Sequence, residues 1–521
     1  MIELSAPLAE AFARLPDYLG GHVRVSLAAL ALGIALSIPL ALMSLRRPAF
    51  RATALALSSV VQTIPGLALL ALFYPLLLGL AALSERTLGV SFSALGFLPA
   101  VLALALYSLL PVLRNAITGL TGIDPAIKEA ARGVGMTPRQ ALWMVELPLA
   151  LPVIMAGIRT AAVWVIGTAT LSTPIGQTSL GNYIFAGLQT QNWVLVLFGC
   201  VAAALLALAV DQLLALIESG LGQRRRVRVV LGSLGVVLLV ATSLVSGWSR
   251  PQARYLVGAK TFTEQYVLAA LIEQRLRAAG LGAARREGLG SSIVLDALAN
   301  GEIDVYVDYT GTIWANEMRR SDVRPRAEVL AEVGKWLKQR RGIMLLGGLG
   351  FENAYALAMP RKRAEALGVR SIADLARVAP QLTIAGDYEF FSRPEWRAIR
   401  DAYGLSFRAE RTMQPEFMYP AAGAGEVDVI SAYTSEGRVA QYDLVILDDP
   451  KHALPPYDAV VLLAPRDSGD RALNDALRPL VDAIDVGLMR DANLRATRGG
   501  GDASPEAVAR WMWDEIAKKK P

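Results

Sequence analysis

The chain has 521 residues, of which 54% are hydrophobic and only 19% charged, an average too apolar for one water-soluble globule and too charged for a purely membrane-embedded one. Two histidines, His22 and His452, and a single cysteine, Cys200, exclude a disulfide framework and leave no ligand spacing for a metal cluster. The net charge of +6 would suit nucleic acid, but the excess cations lie in SLRRPAFR and GQRRRVR beside apolar runs, where they set membrane topology instead. The histidines read as ordinary surface or loop residues, and Cys200, inside an apolar run, as packing.

In chain order, long apolar stretches predict six membrane spans, at 23–45, 53–82, 96–118, 150–171, 193–217 and 228–248, each near or above the roughly 20 residues that cross a bilayer. Arg46, Arg47 and Arg51 follow the first. Lys128, Arg132 and Arg139 separate the third from the fourth, and Arg224, Arg225, Arg226 and Arg228 precede the sixth. Positive charge stays inside, so these loops are cytoplasmic, and each is two crossings from the next. The N-terminus and everything after Trp248 then lie outside. The sixth span, RRRVRVVLGSLGVVLLVATSLVSGWS, also has the form of an internal signal sequence; the weak small-residue pattern at Val245 to Gly247 favours retention as an anchor. Arg159 lies deep in the fourth span. Pairing with Asp211, snorkelling to the inner interface and a transport-path role are all open, with a structural role favoured.

Between spans three and four runs DPAIKEAARGVGMTPRQALWMVELPLALP. Glu129, Ala130 and Ala131 belong to a small-faced helical turn, Gly135 permits a break, and Thr137-Pro138 with Gln140 reads as an N-cap, a first-turn proline and a capping box. Leu147-Pro148 then turns the chain into span four. Two short helices lying across the cytoplasmic surface suit a groove on another protein. The spacing resembles the EAA-x3-G-x9-[IL]-x-LP signature of permease subunits of ABC importers. That resemblance implies an all-α polytopic membrane domain of the type I importer kind, whose loop at 121–149 docks on a separate ATPase through Glu129, Ala130, Ala131, Gly135, Leu147 and Pro148. No G-x-x-x-x-G-K-[ST] occurs; Gly334-Lys335-Trp336 lacks the upstream glycine and the hydroxyl residue. ATP and magnesium are therefore expected on the partner, and no cofactor or metal on this chain. A half-permease cannot enclose a path alone, so a second copy is expected.

Beyond Arg250 the composition changes to charged amphipathic runs and short strands. YLVGAK reads as a strand, FTEQYVLAALIEQRLRAAG as a helix, and SSIVLDALANG as a helix feeding the strand IDVYVDY. Alternation of this kind predicts an α/β domain of two lobes with mainly parallel sheets, crossing near Tyr355 and Tyr457, with a ligand cleft at strand carboxyl ends. The expected organisation is a permease at 1–222, an anchor and linker at 223–252 and a receptor at 253–521, with lobe one at 253–356 and 458–521 and lobe two at 357–457.

The segments AKTFTEQ, GEIDVYVDYTGT, FENAYALAMP, GDYEFFSRPEW, GEVDVISAYTSEG and DDPKHALPPYDA together resemble the solute receptors of osmoprotectant, or quaternary-amine, ABC importers. The resemblance implies a periplasmic-binding-protein-like fold of type II. It implies a tyrosine cage for a trimethylammonium group at Tyr309, Tyr355, Tyr433 and Tyr457, a carboxylate side at Lys260, Thr312 and Arg393, and a polar cage edge at Asn353. The chemistry stands independently: a methylated ammonium has no hydrogen to donate, so aromatic faces must recognise it, and a buried carboxylate needs charge-assisted partners. Phe390, Phe391 and Trp396 read as cleft or core. The two cations favour glycine betaine or a related betaine over choline, with carnitine and ergothioneine fitting the same two-ended logic. A ligand-gated channel and a membrane-anchored enzyme are the rivals; the EAA loop opposes the first, and the absence of a nucleophile motif, metal cluster or phosphate loop opposes the second.

Overall fold

The computed structural model describes residues 6–89, 92–189, 192–248, 254–320, 322, 324–387, 390–497 and 503–519. It forms two compact units, a helical one and an α/β one that holds Gln252–Pro521.

Among the described residues of the helical unit, six helices are long and apolar enough to cross a membrane: Ala11–Arg46, Gly66–Leu88, Phe97–Thr121, Pro138–Ile175, Trp193–Gly222 and Arg226–Leu244. The second departs from the sequence reading. In place of one span over 53–82 stand two helices, Pro48–Thr63 and Gly66–Leu88. Pro65 drives the residue before it out of the helical region, and Ile64 is extended at φ −71°, ψ 128°. The first helix begins well before 23, running Ala6–Arg46 over 41 residues. At about 1.5 Å per residue it is roughly twice as long as the hydrocarbon core is thick.

Phe97–Thr121 and Leu147–Ala169 form the buried centre of this unit, and small residues let them meet. A Cβ added at Gly157 would fall 2.6 Å from Asn115 Cβ and 2.8 Å from the Pro111 carbonyl oxygen, so backbone contact here depends on glycine. Leu57, Leu76, Leu205 and Leu238 face outward, as a lipid-facing surface requires. His22 corrects the expectation of a surface residue. It is fully buried, its Nε2 lying 2.9 Å from the Ile166 carbonyl oxygen while Nδ1 accepts from the Leu180 N–H at 3.3 Å. Cys200, expected in packing, is exposed on the helix Trp193–Gly222, whose run from Trp193 to Val210 is apolar on every side and so gives no local cue to its inward face. Arg159 grips Asp211 through two hydrogen bonds of 2.9 Å and Glu218 through one of 2.7 Å. The sequence reading had named only the first acid; Glu218 follows it by two helical turns and so falls on the same face.

Among the described residues, the α/β unit has ten strands: β1 Tyr255–Lys260, β2 Ala283–Leu289, β3 Val305–Tyr309, β4 Met344–Glu352, β5 Tyr355–Pro360, β6 Thr383–Gly386, β7 Ala409–Thr412, β8 Val429–Tyr433, β9 Leu444–Ile446 and β10 Asp458–Leu463. They form two sheets, ordered β2-β1-β3-β10-β4 and β7-β6-β8-β5-β9. The expectation of mainly parallel sheets holds for half of each. β1 pairs parallel with β2 and β3, and β6 with β7 and β8, whereas β10 and β5 run antiparallel to both neighbours. Those two strands adjoin the segments that pass between sheets, so the passage sets their direction, not a helical crossover. The strand β2, sequence AARREGL, carries two arginines and a glutamate and gave no apolar alternation to find.

Candidate functional site

The carboxyl ends of β1 and β3 bring Lys260 and Tyr309 side by side, and Thr312 follows one turn after β3. Tyr355 opens β5 and pairs in register with Tyr433 at the end of β8. The chain passes from the first sheet to the second at Asn353 and Ala354 and returns just before β10, at Tyr457. The two passages are joined: the Asn353 N–H donates to the Tyr457 carbonyl at 3.0 Å. Arg393 immediately precedes the helix Pro394–Tyr403, in extended conformation. All eight sequence-named residues, Lys260, Tyr309, Thr312, Asn353, Tyr355, Arg393, Tyr433 and Tyr457, line one cavity of about 300 Å³.

Three of the four tyrosines touch. The Tyr355 ring centroid lies 4.8 Å from that of Tyr433 and 6.0 Å from that of Tyr457, the latter at 85°. Tyr309 stacks on Phe262 instead, at 6.2 Å. Phe390, 5.5 Å from Tyr355, and Trp396 lie buried behind this cluster, supporting the rings without lining the cavity. The Arg393 guanidinium stands 5.5 Å from the Tyr355 centroid. Lys260, expected on the carboxylate side, is already paired: its Nζ is 2.5 Å from Asp308 Oδ1, with both side chains 3% exposed.

Sequence reasoning passed over several polar residues in the same cavity, Glu264, Asp387, Ser435 and Asn493 among them. The Glu264 carboxylate accepts from the Tyr309 hydroxyl at 2.5 Å, Ser435 Oγ at 2.6 Å, Asn493 Nδ2 at 3.0 Å and Asn353 Nδ2 at 3.1 Å. Burial lifts its pKa above the usual carboxylate range, against the pull of those donors. A signal for it existed, since it stands in the first turn of Thr263–Ala278, where a helix favours an acid. Burial above all also pushes the hydroxyls of Tyr309, Tyr433 and Tyr457 well above the ordinary phenol value, so they remain donors.

The cytoplasmic loop folds largely as its residues dictate. Asp124 caps Pro125–Gly133, which carries Glu129, Ala130 and Ala131. Gly135 takes φ +83°, a left-handed value that only glycine adopts cheaply. Thr137 and Gln140 form the reciprocal capping box. One expectation fails: Leu147 and Pro148 do not turn the chain. Pro138–Ala141 continues through a π-helical turn at Leu142–Glu146 into Leu147–Ala169. The Leu147 N–H bonds back to the Leu142 carbonyl, and this widened turn accommodates Pro148, which has no N–H to give.

Comparison with known families decides the assignment. Residues 254–514 match the substrate binding domain of ABC-type glycine betaine transport systems, and residues 33–223 match the inner membrane component of binding-protein-dependent transport systems. The chain belongs to the glycine betaine type of ABC importers. It is a fused permease and substrate-binding domain, resident in the cytoplasmic membrane with its receptor on the outer side, and the ATPase is another subunit. The choline transport system permease protein OpuBB of Bacillus subtilis is 40% identical over 38% of this chain and 83% of its own. The ergothioneine transport permease/ergothioneine binding protein EgtU of Helicobacter pylori is 28% identical over 79% of this chain and 74% of its own. A crystal structure of a glycine betaine/carnitine/choline ABC transporter shares 22% identity at a TM-score of 0.46, covering 50% of this chain and 98% of that one.

Proposed function

We propose that the outer domain captures a trimethylammonium carboxylate, glycine betaine or a relative substituted next to its ammonium, and passes it to a path formed by two copies of this chain. The observation that carries the reading is the contact cluster of Tyr355, Tyr433 and Tyr457 in one buried cavity with Arg393 and Lys260. Ring faces suit the methylated cation and the guanidinium suits the carboxylate. The chain itself hydrolyses nothing and takes no metal or cofactor; ATP and magnesium act on the partner subunit, in keeping with the missing phosphate loop. Lipid surrounds the helical unit.

A second reading, ergothioneine, has its own support. EgtU resembles this chain across both domains, and Ser291, Ser435 and Asn493 add hydrogen-bonding groups to the cavity beyond the rings, which a betaine with a polar ring could use. Calorimetry on the full chain in lipid nanodiscs, with glycine betaine, choline, carnitine, ergothioneine and ordinary amino acids, separates these. A trimethylammonium acid should bind best, and Tyr355→Ala or Tyr457→Ala should weaken it by up to about 30-fold, the value of one desolvated aromatic face. Preference for ordinary amino acids, or indifference to both substitutions, would remove the ligand assignment.

A further inference from the structure

The tyrosines of the cavity share a feature that their number alone does not require. Tyr309 gives its hydroxyl hydrogen bond to Glu264 at 2.5 Å, and Tyr457 gives its own to Glu395. The Tyr433 hydroxyl lies 3.2 Å from Asp387 Oδ2 and 3.1 Å from the Tyr355 hydroxyl. With its proton directed at the carboxylate, Tyr433 can accept from Tyr355, so the fourth ring joins the same chain. The three acids are themselves buried, Glu264 at 3%, Asp387 at 7% and Glu395 at 2% exposure. Glu395 has Arg393 at 3.8 Å, but Glu264 is met by four neutral donors. Burying a carboxylate without a cation is costly, and such a site becomes favourable when a cation arrives.

We propose that Glu264, Asp387 and Glu395 are positioning residues that polarise the cage: by taking the phenolic hydrogen bonds of Tyr309, Tyr433 and Tyr457 they enrich the ring faces and set the receptor's preference for a cation over a neutral group of the same shape. The physical basis is twofold. A hydroxyl donating to an anion is in a charge-assisted bond and shifts electron density from the proton toward oxygen and ring, and linked bonds reinforce one another. A ring richer in electron density attracts a quaternary ammonium more strongly through its face. Orientation follows as well, because each phenol is fixed at its tip and its ring cannot swing out of the cavity.

This inference rests on the quaternary-ammonium reading, and the test separates the two. Glycine betaine is the core that ergothioneine shares, and 3,3-dimethylbutanoate copies it with carbon in place of the charged nitrogen. Both are titrated by calorimetry into the full chain in lipid nanodiscs, as wild type and as Glu395→Gln, Asp387→Asn and Tyr457→Phe. The expected result is a loss of about fivefold to tenfold in glycine betaine affinity in each variant, with the affinity for 3,3-dimethylbutanoate moving less than about twofold. Tyr457→Phe keeps the ring and removes only the link, so combining it with Glu395→Gln should add little to either alone. Equal weakening of both ligands would make the acids purely structural and overturn the proposal, as would full retention of glycine betaine affinity. A wild-type chain that binds 3,3-dimethylbutanoate as well as glycine betaine would overturn the quaternary-ammonium reading itself, and the inference with it.

Discussion

At the scale of single residues, the buried pair of Lys260 and Asp308 shows how a functional motif and a structural one occupy the same atoms. Both side chains are 3% exposed and their charges meet at 2.5 Å, so each answers the other's desolvation. Lys260→Met or Asp308→Asn alone should lower the opening free energy of β1 and β3 by about 3–5 kcal/mol, read by hydrogen exchange. Joint replacement by apolar residues of similar size should recover much of that loss. The eight cavity residues were legible through the resemblance of their motifs to the osmoprotectant receptors, and the structure brings all eight to one cavity. Their partners were not. Asp308, Glu264, Asp387 and Glu395 are acids in segments full of charge, and apart from the first-turn positions of Glu264 and Glu395 nothing in the order of residues distinguishes an acid that accepts a tyrosine hydrogen bond from one in water. Glu218 was missed for a related reason, since finding it required the helix phase of Asp211 and the position of Arg159 together.

Elements were legible where local chemistry decides them. The capping box at Thr137, the first-turn proline and the left-handed Gly135 follow from residue type. Junctions were less legible: the break at Pro65 and the unbroken passage through Pro148 both involve proline, and the outcome turned on whether a widened turn could absorb the missing donor. Gly135→Val forces a branched residue to positive φ, and Glu129→Lys reverses a charge on the loop. Each should leave solute affinity unchanged while reducing ATP-driven uptake into vesicles by about tenfold or more, as expected when a coupling element loses its geometry. In the receptor, Ser371 and Asp374 cap Ile372–Val378 reciprocally. The Ser371 hydroxyl, backbone N–H groups and Arg377 hold the Asp374 carboxyl down at about 2. A depressed acid contributes stability above its unfolded value of 3.8 and loses it as pH falls toward 2. Asp374→Asn should therefore lower the receptor's melting temperature at pH 7 and leave it nearly unchanged at pH 2, by calorimetry.

At the scale of the whole molecule, two domains with unlike solvents are joined through one apolar helix, Arg226–Trp248; residues 249–253, just beyond it, lie outside the described part. Native mass spectrometry of the complex with its ATPase should find two full-length copies of this chain. Freed receptor of about half the mass would mean cleavage near Val245 to Gly247. Fusion raises the receptor's effective concentration at the gate, so loss of the link should slow uptake at low solute without changing affinity. Within the receptor, Asn353 and Tyr457 bind the two inter-sheet passages to each other, and Tyr355 follows directly after the first. A body that turns about an axis moves least near it. If the two sheets turn about these passages, Tyr355 and Tyr457 ride closest to the pivot, where the lever arm is shortest. A cation should then meet nearly the same pair of faces before and after closure, and stopped-flow binding should show a concentration-dependent capture phase followed by a concentration-independent one.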